Sequence, residues 1–356
     1  MDMDKKRPRD WGIAPGIFAT GKLNAITDVP GVRVGQETLV EGTDIRTGVT
    51  AVLPHAGNVF QDRVPAGLSM GNGFGKLTGA TQLKELGELE TPIVLTNTLS
   101  VHDAASALIG WTLERKGNEA VRSVNPVACE TNDGYLNDIR RRMISEGHVR
   151  QALSRARKGP VVEGAVGAGT GTVCFGWKGG IGSSSRHLPD DMGGYLLGVL
   201  VQTNFGGSLQ MMGVPLYDVH EKQVPTGADG SIVIVIATDA PLSDRNCRRL
   251  AWRSFAGLAR SGSSFSNESG DYAIAFSTAS GVRRSALRRR QVSRPLELPN
   301  EMLSPLFQAA IEATEEAIYN SLWAAETMTG YRGRTVYALP REAVLARLKK
   351  VGYLDR

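Results

Sequence analysis

Apolar positions along this chain fall into short, β-branched runs set between glycine turns, and five further stretches carry helical spacing. Thr47 to Leu53 alternates toward a strand and breaks at Pro54, and Ile93 to Leu95 is a short buried strand. Ala165 to Phe175, AVGAGTGTVCF, reads as a glycine-punctuated turn followed by a strand. Tyr195 to Thr203, YLLGVLVQT, is a continuous apolar strand ending at Asn204. Ser231 to Ala237, SIVIVIA, is strongly β-branched, and Tyr272 to Ser277 is another strand. Val29-Pro30-Gly31-Val32 reads as a turn, and Leu68 to Lys76, LSMGNGFGK, as a glycine-rich loop. The polar segment Gly206 to Gly230 is the best candidate for a linker or mobile loop.

Asp103 is placed to cap a helix through Lys116, with Ala107, Leu108, Trp111 and Thr112 near one face. A second helix is expected from about Asn137 to Ser145. Ser243 can cap a third, to Ala259, whose stripe is Cys247, Leu250, Ala251, Phe255 and Leu258, with Gly262 ending it. Ser304-Pro305 opens a long helix to about Met328, and Arg341 to Lys349 closes the chain. Strands and helices alternate while hairpin-like turns recur. That favours a layered α/β sandwich with mixed sheets over a plain doubly wound sheet.

With 356 residues and 41% hydrophobic content, the chain can bury a large core, as one big domain or two smaller ones. Its 42 glycines follow no period, which excludes collagen. The net charge of +5 says little about partners. Arg283 to Arg294 holds six arginines and no acid. It lacks interleaved aromatics, so a solvated loop or subunit contact is expected before nucleic-acid binding. Cys129, Cys174 and Cys247 lie far apart, and the five histidines form no metal motif. No metal and no cofactor are expected. A signal-peptide core and apolar runs of 18 residues are absent, so no membrane role is expected and a soluble cytoplasmic protein is the default.

The sharpest chemistry lies at Thr226-Gly227-Ala228-Asp229-Gly230-Ser231-Ile232-Val233, where a glycine-containing loop enters a buried strand. Gly230 has no side chain to hinder attack on its carbonyl. The Ser231 hydroxyl can fold onto that carbonyl and form an ester that water hydrolyses. The α-amine so released, with an ordinary pKa of about 7.7–8.0, is a usable base beside its own hydroxyl. By local sequence alone the plainer reading is a turn ending in a strand.

The wider pattern changes this. NAITDVPGVRVGQ (24–36), ETNDGYLNDI (130–139), GAVGAGTGTVCFGWKGGIGSSSR (164–186), LGVLVQTNFG (197–206), DGSIVIVIATDAPL (229–242), GLARSGS (257–263), SGDYAIAFST (269–278) and NSLWAAETMTG (320–330) occur in that order. Together they resemble the β-aminopeptidase and L-aminopeptidase/D-amidase-esterase family of self-processing serine peptidases. The resemblance implies an N-terminal-nucleophile (Ntn) hydrolase-like α/β fold, a four-layer αββα sandwich. It implies one self-processing domain, 1–356, cut into an α-chain, 1–230, and a β-chain, 231–356, and a homo-oligomer of αβ units.

On the matching residues, Ser231 resembles the nucleophile, and Ser269 and Asp271 the hydroxyl and acid that support it. Asn204 is placed to donate to an oxyanion; a strand-end cap is the competing reading. Tyr135 matches an aromatic position near the site, with a core tyrosine as its rival. Glu130 is the acid expected against a substrate ammonium, because an aminopeptidase needs a fixed anion there. GAGTGT (167–172) is followed by a strand rather than a helix, so it lacks the turn that cradles phosphate. The activity implied is removal of the N-terminal residue from short peptides, amides or esters. An acyltransferase of the ornithine acetyltransferase type, or a non-catalytic basic binding protein using Arg283 to Arg294, are the alternatives.

Overall fold

The computed structural model describes residues 7–216, 219 and 230–354. The chain first forms an antiparallel pair, β1 (Arg33–Glu41) and β2 (Ile45–Leu53), and then the long β3 (Asp62–Gly73). The short β4 (Glu88–Leu89) pairs with β3. Next come β5 (Ile93–Asn97), α1 (Val101–Leu113), β6 (Val127–Thr131) and α2 (Glu146–Ser154). A small hairpin of β7 (Val173–Cys174) and β8 (Trp177–Lys178) leads into β9 (Ile181–His187) and β10 (Leu196–Asn204). A second hairpin, β11 (Gln210–Met211) and β12 (Val214–Pro215), precedes β13 (Ser231–Thr238). After α3 (Asp244–Arg260), β14 (Gly270–Ser277) and β15 (Arg284–Ser285) come α4 (Ser304–Trp323), the pair β16 (Met328–Thr329) and β17 (Thr335–Val336), and α5 (Arg341–Lys350).

Two mixed sheets result, ordered β1-β2-β5-β6 and β15-β3-β14-β13-β10-β9. Strand alternation explains how they stack. Val34, Val52, Ile93 and Val127 of the first sheet meet Leu68, Leu200, Val233, Val235 and Ile274 of the second in one core. The opposite face of the first sheet packs Val49, Ala51 and Val94 on Ala104 and Leu108 of α1 and Val149 of α2. The opposite face of the second packs Val199, Ile232, Ile234 and Ala273 on Leu250 of α3 and Ala313 of α4. This is the four-layer αββα sandwich expected from the sequence.

Several boundaries differ from the expectation. The second helix begins after Ser145 rather than ending there. Arg142 adopts φ 47° and stops a helical turn, and the Ser145 N–H donates to His148 Nδ1 at 3.1 Å to cap the new one. Asn137 instead spans two elements, accepting from the Arg46 N–H at 3.1 Å and donating to Asp133 at 3.0 Å. The glycine-rich 68–76 segment is mostly strand, because β3 runs to Gly73 and pairs with β14. Gly67, just before it, admits a close neighbour: a methyl group there would lie 2.2 Å from the Arg248 backbone nitrogen of α3. Helix α4 ends at Trp323, and Met328 pairs with Val336 instead. Residues 217–218 and 220–229 of the expected loop 206–230 lie outside the described residues, and the β11–β12 hairpin occupies part of its first half.

The basic segment is largely spoken for. Arg283 pairs with Asp62 at 3.0 Å, and Arg284 with Glu88 and Asp244 at 3.3 and 3.0 Å. Arg288 and Arg289 donate to backbone carbonyls, including those of Ser280 and Gln61. Among the described residues, no helix is long and apolar enough to cross a membrane.

Candidate active site

Ser231 is the first residue of β13, a central strand with β10 antiparallel on one side and β14 parallel on the other. The register sets Asn204, the last residue of β10, opposite Ser231, and Gly270 beside it. Residues directly opposite on antiparallel strands project to the same face, so the Asn204 amide and the Ser231 hydroxyl emerge together. Both residues are nearly buried, at 9% and 7% exposure.

The amide of Asn204 has a fixed orientation. The Val173 N–H donates to Asn204 Oδ1 at 3.0 Å, which an amide turned the other way could not accept. Asn204 Nδ2 donates to no described residue, and Ser231 Oγ has no hydrogen bond to one. Among the described residues, the pair therefore offers an unengaged hydroxyl next to an unengaged amide donor.

Gly230 enters this site under tight constraint. A methyl group there would lie 2.3 Å from Phe205 Cα and 2.4 Å from the Asn204 carbonyl oxygen. Only glycine lets the incoming chain pass so close to the end of β10. The Gly230 carbonyl accepts from the Gly270 N–H at 3.1 Å, a ladder bond one residue beyond β13. That bond holds the carbonyl in place and draws charge toward its oxygen.

Ser269 and Asp271 form a pair: Ser269 Oγ donates to Asp271 Oδ1 at 2.7 Å. Asp271 is registered with Ile232, so its carboxylate leaves the sheet on the face toward α3, while Ser269 stands at the strand end. Phe255 and Phe265 crowd the same spot, within 3.2 Å of a methyl group placed on Gly71. Burial in these surroundings raises the Asp271 carboxyl to about 6, while the Ser269 hydroxyl pulls it down. Asp271 Oδ2 is buried and has no hydrogen-bond partner.

Glu130, on β6, is 2% exposed. The Lys76 N–H donates to its Oε1 at 2.8 Å, and Thr98 Oγ1 donates to its Oε2. Burial raises its pKa, and both donors oppose that. Gly75 separates it from β14: a methyl group on Gly75 would lie 3.2 Å from Glu130 Oε1 and 3.3 Å from Gly270 Cα. The carboxylate therefore sits one glycine away from the strand end beside Ser231. Tyr135 stands differently, exposed at 38%, with the Arg334 guanidinium 4.9 Å from its ring centre. Its hydroxyl bonds to none of the other candidate residues.

GAGTGT is close-packed backbone. A methyl group on Gly169 or Gly171 would lie 2.5 Å from the Ile181 nitrogen or 2.1 Å from the Arg46 carbonyl oxygen. Three features escaped the sequence: the Gly270 N–H on the Gly230 carbonyl, the Thr98 hydroxyl on Glu130, and the buried Lys178 beneath the 169–172 loop. The signal for Lys178 was present, since it is the only charged residue between Glu163 and Arg186.

Residues 24–336 match peptidase family S58. The beta-peptidyl aminopeptidase BapA of Sphingosinicella microcystinivorans is 41% identical over 370 residues, covering 97% of this chain and 92% of that protein. A beta-aminopeptidase from Burkholderia sp. superposes with a TM-score of 0.89 at 42% identity, covering 98% of this chain and 99% of that one. The L-aminopeptidase D-Ala-esterase/amidase of Ochrobactrum anthropi, described as a prototype serine aminopeptidase and a variant of the Ntn-hydrolase fold, superposes at 0.91 with 37% identity over 98% of this chain and 100% of that one. The chain thus belongs to peptidase family S58 and is an aminopeptidase built on the Ntn-hydrolase fold.

Proposed function

We propose that this aminopeptidase is made as a precursor that cuts itself between Gly230 and Ser231 and then uses Ser231 as an N-terminal nucleophile. The observation that carries the reading is the arrangement at the start of β13. The Ser231 hydroxyl bonds to none of the described residues, the Gly230 carbonyl preceding it is held by the Gly270 N–H, and Asn204 lies directly opposite.

In self-cleavage, Ser231 Oγ attacks the Gly230 carbonyl carbon and the Gly230–Ser231 amide bond breaks. The acyl group moves from nitrogen to oxygen, and the nitrogen takes up the hydroxyl proton. Water then hydrolyses the ester, leaving a Gly230 carboxylate and a free Ser231 amine. Chains 1–230 and 231–356 stay together through the shared sheet as one domain.

In turnover, the Ser231 amine accepts the proton of its own hydroxyl as Oγ attacks the substrate carbonyl. Asn204 Nδ2 donates to the developing oxyanion. The Ser269–Asp271 pair supports the positive charge that builds at the amine. The leaving amine departs with a proton, and water releases the acyl group from Ser231. Glu130 takes the substrate's free ammonium and sets its carbonyl at Ser231. Tyr135 walls the entrance. Substrates are short peptides, amides or esters with an unblocked amine.

We also place the enzyme in the cytoplasm as a homo-oligomer of αβ units. Its three buried, free cysteines suit a reducing compartment.

The test is an intact-mass measurement of purified protein with N-terminal sequencing. Two masses are expected, the smaller chain starting at Ser231. Ser231→Ala should give one full-length, inactive chain; a split at this bond in that variant would overturn the reading.

A further inference from the structure

Lys178 is fully buried. Its ammonium has no carboxylate within ion-pair distance among the described residues. Instead Nζ donates to three backbone carbonyls, of Gly169 at 3.1 Å, Thr172 at 2.9 Å and Gly179 at 2.7 Å, which use all three of its protons. Burying a cation without an anion is costly, and a methionine would fill the same space. The charge therefore calls for a use.

One of these carbonyls belongs to the peptide unit that orients Asn204. The Thr172–Val173 peptide accepts from Lys178 through its carbonyl and donates to Asn204 Oδ1 through its N–H at 3.0 Å. A continuous line of polarised groups runs from ammonium to peptide to side-chain amide, and its free end is Asn204 Nδ2, opposite Ser231. Each bond in such a chain strengthens the next, and low local dielectric preserves the effect. We propose that Lys178 is a positioning residue that fixes the Asn204 amide and polarises its N–H toward the oxyanion. This rests on the reading of Asn204 as the oxyanion donor.

The energetics are consistent with such a role. Burial lowers the Lys178 pKa to about 7. The three accepting carbonyls favour the charged form. Nearby Asp133 and Cys174 also raise the Lys178 pKa. When negative charge forms on the substrate oxygen, the whole line of dipoles is already aligned with it, so little reorganisation is needed.

The test is a double-mutant cycle on the full chain, with kcat and KM measured on an aminoacyl p-nitroanilide and normalised to the processed fraction by mass. Lys178→Met should lower kcat about tenfold or more, with KM changed less than about twofold. Asn204→Ala should lower kcat by about 10²–10³. In the Asn204→Ala background, Lys178→Met should have almost no further effect. Should Lys178→Met not fold, Lys178→Gln keeps donors for the carbonyls without the charge and should show the same split. A slow Asn204→Ala beside wild-type kcat in the lysine variants overturns the relay alone, as does a full additional loss in the double variant. Wild-type kcat in Asn204→Ala removes Asn204 from the mechanism and the relay with it.

Discussion

Asn204 and Ser231 close the antiparallel ladder between β10 and β13 as a directly opposed pair. The Asn204 amide, pinned through Oδ1 by the Val173 N–H, has its donor end free there. Replacing Asn204 with Asp keeps the acceptor for Val173 and loses the donor. Its carboxylate would also repel an oxyanion. Asn204→Asp should therefore be at least as slow as Asn204→Ala, about 10²–10³ below wild type in kcat. Steady-state kinetics on processed protein checks this; a rate near wild type would show that Nδ2 donates to nothing in the reaction.

Asp271 sets a pH dependence. Its carboxyl, raised to about 6 by burial, gives up its charge as pH falls through that value. The wild-type kcat should fall with it, and Asp271→Asn should lower the plateau and flatten this limb. Stability runs in the opposite sense. A raised folded pKa means the native state holds its proton more tightly than the unfolded chain, whose carboxyl titrates at about 3.9. The native state thus loses stability as pH rises from there through about 6. The melting temperature of Asp271→Asn, relative to wild type, should shift upward between pH 4 and pH 7. A constant difference across that range would mean Asp271 does not titrate there.

The role proposed for Glu130 makes free amines the expected substrates. Acetylating the substrate amine removes its cation and fills its space. The N-acetyl derivative of an aminoacyl p-nitroanilide should show kcat/KM lower by at least about two orders of magnitude at pH 8, roughly 2.7 kcal/mol. Equal rates on both compounds would point to a general amidase and leave Glu130 without this role.

Gly230 is constrained from two sides. A methyl group 2.3 Å from Phe205 Cα must push the chain away from β10, and with it the carbonyl that Gly270 holds. Gly230→Ala should accumulate as a full-length chain whose conversion to two bands is slowed at least about tenfold. A time course on gels checks this, and conversion at the wild-type rate would show that the close approach is irrelevant to cleavage.

What the sequence disclosed, and what it hid, follows from how each residue acts. Locally, Ser231 reads as a turn entering a strand, and Asn204 as a strand-end cap as readily as an oxyanion donor; the family resemblance singled them out. Ser269 and Asp271 likewise came from the resemblance, and the hydrogen bond between them joins partners two residues apart. The partners of Lys178 and much of the cradle around Glu130 are backbone groups, which residue types cannot reveal. The misplaced second helix has a similar cause: Asn137 accepts from the Arg46 N–H, a contact 91 residues away that no local pattern shows. The segment 68–76 resembled a loop because Gly71 makes room for Phe255 of α3 and for Phe265, which only the packed structure supplies.

The order of strands in the second sheet carries a kinetic consequence. There β13 and β14 lie between β3 and β10, so the segment after Ser231 is threaded through the middle of the segment before it. In the uncut chain this arrangement forms within one molecule. Under the proposed cleavage before Ser231, an unfolded enzyme would become two separate molecules that must find each other before either can complete its sheet. Recovery from denaturant should then be second order in protein for the mature form and first order for Ser231→Ala. The mature enzyme would keep its shape by the height of its unfolding barrier, with its assembly instructions discarded at the first turnover of its own active site.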